Sequence, residues 1–110
     1  MRLPADRLII KRRKLTEYLL LRQDKSDKSR FLERCGYTLD NVEAPEEAIR
    51  DLVAANDATP DFGDDFGQRF RVTGQLPALV GRDMLVTTIW ILRVAETDTW
   101  RFVTLYPGAP

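Results

Sequence analysis

The chain has no histidine and a single cysteine, Cys35. A Ser–His or Cys–His nucleophilic pair cannot be built, and the commonest transition-metal ligand is missing. Proton transfer must fall to Lys, Arg, Tyr, Asp or Glu, and a zinc site is not expected. Cys35 has no partner for an intrachain disulfide and reads as a small core hydrophobe. The charges are segregated. Residues 1–36 carry eleven Lys/Arg against five Asp/Glu, including the run Lys11-Arg12-Arg13-Lys14. Residues 37–67 hold Arg50 against nine acids, and residues 68–110 hold five Arg against three acids. Net charge is zero, yet the chain is dipolar. Its basic part suits phosphate or an acidic partner, unless the two blocks simply solvate and neutralise each other. Asp57, Asp61, Asp64 and Asp65 gather oxygens of the kind hard cations take. Their spacing does not match a calcium loop, so capping aspartates in a solvated loop are expected, with no metal and no cofactor.

These residues need elements to position them. At 110 residues the chain is expected to be one domain, 1–110, and its 44% apolar content suffices for a core. No apolar run reaches the roughly 20 residues of a bilayer span. The first residues lack a secretory apolar region, so a cytoplasmic location and no membrane contact are expected. Leu8-Ile9-Ile10 is long enough for one short strand. Leu15, Tyr18, Leu19 and Leu21 have near-helical spacing, which predicts a helix at about Arg12–Leu21. Asp24 or Ser26 can cap a second helix with Phe31, Leu32 and Cys35 on its apolar face and Gly36 as its stop. Asn41 is a candidate cap for a third, with Pro45-Glu46-Glu47 in its first turn, Ile49, Leu52 and Val53 as its buried stripe, and an end near Asn56.

Residues 57–67 read as loop. Gln68–Thr73 alternates polar and apolar, as a half-buried strand does, and Gly74 is a candidate bulge. Met84–Val94 is apolar on both faces, with Met84, Val86, Trp90 and Leu92 on one and Leu85, Ile89 and Ile91 on the other; that pattern belongs to a central strand covered on both sides. Trp100–Tyr106 is the last strand, joined to it by the short polar loop Ala95–Thr99. The predicted fold is α+β: a short N-terminal strand, then two to three helices packed on one face of an antiparallel meander sheet of three to four strands. The second face carries too many large residues to be wholly solvated, which marks a partner or a ligand.

Several fragments resemble an uncharacterised family of small bacterial domains associated with polymorphic-toxin systems. They are Lys14-Leu15 with Tyr18-Leu19-Leu20, Asp27–Leu32 with Gly36-Tyr37, Gly67, Val86–Trp90 and Phe102–Pro107. They span nearly the whole chain. The element order also resembles that of RelE-type and barnase-like toxin ribonucleases, which cleave RNA without a metal from an open sheet face.

That second resemblance implies an endoribonuclease acting on RNA phosphodiesters. The reaction needs a base for the 2′-hydroxyl, cations for charge developing at phosphorus and an acid for the leaving oxygen. Arg69, Arg71 and Arg101 would form the cationic clamp, because a guanidinium fits phosphate bidentately. Lys14 and Lys28 would act as clamp or base, and Tyr106 as acid or base. Thr88 and Thr104, taken as neighbours across the hairpin, would bond phosphate oxygens. Strict alternation sets Arg101 on the opposite face from Thr104 and Tyr106, so without a bulge only one of the two sets belongs to a site. The alternative is a non-catalytic interaction module, immunity- or antitoxin-like or self-associating, that meets a cognate protein or its own copy through the sheet face. RNA is the partner of the first reading and protein the partner of the second.

Overall fold

A computed structural model describes residues 1–19 and 29–109. The fold is α+β. A 3-10 turn, Ala5–Arg7, leads into β1 (Leu8–Ile9), followed by a π-type helical segment Lys14–Leu19, α1 (Ser29–Arg34) and α2 (Glu43–Ala55). The remainder is sheet: β2 (Ala58–Asp64), β3 (Gly67–Leu76), β4 (Met84–Arg93) and β5 (Trp100–Pro107). The five strands lie in the order β1-β5-β4-β3-β2.

The sheet is larger than the predicted meander of three to four strands, and it is mixed. β1 runs parallel to β5, pairing Leu8 with Trp100 and Ile9 with Arg101. β2 lies where a loop was expected. It is an edge strand exposed from Thr59 to Asp64, so it has no apolar alternation to betray it. Its pairing with β3 breaks register between Pro60 and Gly63. Proline and irregularity are tolerated at an edge because the outer ladder positions bond nothing. The expected first helix is a π-type segment, with Leu15 fully buried.

α1 ends as predicted at Gly36, which has φ of +91°. Gly36 N–H donates to Glu33 O at 2.9 Å and Tyr37 N–H to Leu32 O at 3.0 Å, the paired bonds of a Schellman stop. The candidate caps Asp24 and Ser26 lie outside the described residues. α2 starts two residues before Pro45, its N-cap is Val42 rather than Asn41, and no side chain caps it. Pro45 still falls in the first turn, where its missing N–H is not needed.

α2 packs on β3. Its stripe of Ile49, Leu52 and Val53 joins Phe70, Val72, Trp90 and Leu105 in one core, and Cys35 is buried there. Trp90 meets Phe102 edge-on with ring centroids 5.4 Å apart, a favoured aromatic geometry. Gly74 is no bulge, since it continues the ladder opposite Val86. A Cβ there would come within 2.2 Å of the Asn56 side chain, so the glycine lets the end of α2 approach β3. Among the described residues no helix is long and apolar enough to cross a membrane.

Candidate functional site

The decisive feature lies in β5. Phe102 pairs with Trp90, but Thr104 pairs with Ile89, the residue before it, so Val103 is an extra residue on this strand. Such a bulge inverts the alternation that follows it. Trp100 and Phe102 face the core before it, and Leu105, fully buried, faces the core after it. Arg101, Thr104 and Tyr106 therefore share the opposite face, and the expected separation by parity does not hold.

The register defines three rows across that face. Arg69, Ile91 and Arg101 form one, extended to Ile9 by the parallel pairing. Arg71, Ile89 and Thr104 form the second, and Thr73, Thr87 and Tyr106 the third. Neighbouring strands lie about 4.8 Å apart, and residues rise about 3.4 Å along a strand. The backbones of Arg69 and Arg101 are thus about 10 Å apart, and the Tyr106 row is about 14 Å from the Arg101 row.

Thr88 does not belong to this face. It is fully buried on the core side, opposite Leu105 rather than Thr104. Its hydroxyl donates to Val72 O at 3.0 Å and accepts from Trp90 Nε1 at 2.9 Å. Both its bonding directions are committed to the fold, which leaves no phosphate-binding role. Its neighbour Thr87 faces the open side but is likewise engaged, donating to Gly108 O at 2.8 Å and meeting Thr73 Oγ1 at 2.9 Å. Lys28 lies outside the described residues. None of the described residues hydrogen-bonds the Tyr106 hydroxyl.

The arginines divide into two groups. Arg69 and Arg71 stand near the acidic β2–β3 hairpin, where Arg69 pairs with Asp64 at 3.0 Å and Arg71 with Asp61 at 4.0 Å. Arg69 also lies over the Phe62 ring, 4.4 Å from its centre. Asp64 accepts backbone N–H bonds from Phe66 and Gly67; the Phe66 bond first, then Arg69, holds its carboxyl below the usual aspartate range. These aspartates serve as turn caps and arginine partners. Among the described residues no group of three or more carboxylate or thiol side chains is arranged to hold a metal.

Arg101 sits differently. Its Nε and Nη2 donate to the two carboxylate oxygens of Glu96 at 2.9 and 2.7 Å. This fork fixes the guanidinium plane and depresses the Glu96 carboxyl below its ordinary value. On the same face, a pocket of about 120 Å³ opens between β1, β4 and β5. Lys11, Lys14, Arg93 and Arg101 line it together with Ile9, Ile91 and Val103. The short strand β1 makes this convergence: the chain leaves Ile9, buries Ile10 and Leu15, and turns so that Lys14 N–H bonds Lys11 O at 2.9 Å. Both lysines are thereby held beside β5. Of the residues expected from sequence, Lys14 and Arg101 meet here. Lys11, Arg93 and the bracing Glu96 were missed. The cation run was visible, but the parallel β1–β5 pairing that brings it to Arg101 has no local signature.

Comparison with curated proteins found no match, and neither did comparison with solved structures. Comparison with protein families matched residues 2–109 to the family described as Domain of unknown function (DUF6883). That match spans nearly the whole chain, which therefore belongs to the DUF6883 family.

Proposed function

We propose that this domain is a toxin-type, metal-independent endoribonuclease that engages RNA phosphodiesters on the open sheet face. The observation that carries the reading is the convergence of Lys11, Lys14, Arg93 and Arg101 on one pocket, with Glu96 bracing Arg101 from beside it and no carboxylate among the described lining residues. Four cations around a concave site are suited to phosphate, the dominant source of affinity for RNA. Arg101, held flat by Glu96, is presented for charge developing at phosphorus. Lys14, in the same pocket lining, is the candidate proton-transfer group, with Lys28 as a second candidate. Thr104 and Tyr106 lie one and two rows further along and serve the passing strand. Tyr106, about 14 Å away, does not act on a phosphate held at Arg101. In this reading the domain acts in the bacterial cytoplasm as part of a polymorphic-toxin system, the setting to which its sequence fragments point.

The test is incubation of the purified chain with single-stranded RNA in excess EDTA. Cleavage that persists, and that falls at least 100-fold in Lys14→Ala and in Arg101→Gln, supports the proposal. In binding, loss of each phosphate contact should lower the salt slope by about 0.7. Intact RNA, together with harmless expression in a bacterial host, rejects it.

One observation favours a second reading, the non-catalytic interaction module. Phe62, Phe66 and Val94 are 60%, 74% and 70% exposed at one end of the sheet, and Val94 N–H bonds Phe66 O at 3.0 Å, which joins the hairpin to the end of β4. A homodimer or a cognate protein would cover such a tip. Size-exclusion that shows a monomer, alone and with the product of the neighbouring gene, removes this reading.

A further inference from the structure

The pocket beside Arg101 combines two surfaces that a bare phosphate does not require. Its lining is part apolar, from Ile9, Ile91, Phe102 and Val103, and part cationic. Lys11 and Lys14 approach from the segment after β1, and Arg93 and Arg101 from β4 and β5. At about 120 Å³ it is well below the roughly 300 Å³ at which ordinary organic-ligand sites begin. Ile9, exposed on the edge strand β1, is one of the lining residues.

We infer that this pocket seats a single unstacked nucleobase on Ile9, Ile91 and Val103, with the two flanking phosphates held by the lysines on one side and the arginines on the other. The inference rests on the ribonuclease reading and deepens it by naming the substrate as single-stranded RNA. Every base has a flat apolar face, so an aliphatic and cationic site of this kind accepts any sequence. It rejects a duplex, whose bases remain stacked and paired and cannot be splayed into a pocket.

The experiment measures anisotropy of a labelled eight-nucleotide RNA, alone and annealed to its complement, against the full chain and Ile9→Trp. The indole fills the pocket without changing charge. The single strand is expected to bind at least tenfold tighter than the duplex, and Ile9→Trp to remove that preference. A mononucleotide should displace the labelled strand at least tenfold better than inorganic phosphate, a comparison that needs no variant. Equal binding of strand and duplex, no effect of Ile9→Trp and equal competition by phosphate overturn the seated base. If Lys14→Ala and Arg101→Gln still weaken binding in that case, the phosphate clamp stands without it. Failure of the chain to bind any RNA rejects the ribonuclease reading itself, and the seated base with it.

Discussion

Arg101 and Thr104 lie on the same face of β5 although they are three positions apart, because Val103 is inserted opposite Trp90 and Ile89. In an unbroken strand they would point to opposite sides. The insertion sets two requirements at once. Leu105 must reach the core, where it is fully buried, and Arg101 must remain outside in the grip of Glu96. Only a strand with one extra residue satisfies both.

Deleting Val103 restores strict alternation and so tests that relationship. Trp100, Phe102 and Leu105 then keep the core face and Arg101, Thr104 and Tyr106 the open face, because the pairs Phe102–Trp90, Thr104–Ile89 and Leu105–Thr88 become consecutive. The deletion should therefore stay within about 1 kcal/mol of Val103→Ala, which keeps the bulge. Urea unfolding of the two variants checks this. A loss of about 3 kcal/mol or more, the scale of removing one large buried side chain, would show that the faces of β5 are not set by this register.

Thr88→Val should destabilise by about 1–3 kcal/mol, because Trp90 Nε1 and Val72 O each lose a partner inside the core. Thr104→Val, on the half-buried open face, should change stability by less than about 0.5 kcal/mol. Denaturant midpoints of the two variants give the comparison. A Thr88→Val protein as stable as the original would mean that the buried hydroxyl is not held by these bonds.

The contrast between these threonines shows what local sequence carried. Alternation in Gln68–Thr73 and the density of β-formers in Met84–Val94 and Trp100–Tyr106 located β3, β4 and β5, and the stripe Ile49, Leu52 and Val53 located α2. Gly36 marked a helix end because a φ of +91° favours that residue. The faces of β5 were not legible, since a bulge is set by the partner strand's register and leaves no composition signal. β2 was hidden by its acidic, exposed sequence, which pairs only because β3 offers an edge. The pocket was hidden for the same reason. Lys14 and Arg101 are joined by a two-residue parallel contact formed between the two ends of the chain, a tertiary relation that periodicity does not encode.

Glu96 and Asp64 make stability depend on acid. Both carboxyls are depressed, Glu96 chiefly by the hydrogen bond from Arg101 and Asp64 chiefly by the Phe66 N–H. A group whose pKa is lower folded than unfolded stabilises above its unfolded value and loses that contribution as pH falls through its folded value. Stability should therefore decline below about pH 4.5, the ordinary value for Glu96. Glu96→Gln should flatten part of that decline and, by releasing the Arg101 fork, weaken RNA binding at neutral pH. Melting temperatures from pH 6 to pH 3 for both proteins decide this. Parallel curves would show that the Arg101 pair contributes nothing to the acid limb.

Tyr37 predicts the opposite behaviour in base. It is 2% exposed, its hydroxyl donates to Pro77 O, and burial pushes its pKa up from 10.0 to about 12. Burial disfavours the phenolate, so the folded state keeps a proton that the unfolded chain gives up. The contribution is complete below pH 10 and is lost as pH rises towards 12. Ultraviolet difference spectra should show a late phenolic step near pH 12 that belongs to Tyr37. Tyr37→Phe removes the late step and makes the melting temperature less steep between pH 9 and pH 11. It should lower stability at neutral pH as well, because Pro77 O then loses its donor. If the late step survives in Tyr37→Phe, the slow titration belongs to another group, and the tie between the end of α1 and the β3–β4 connection is not what fixes the alkaline limit.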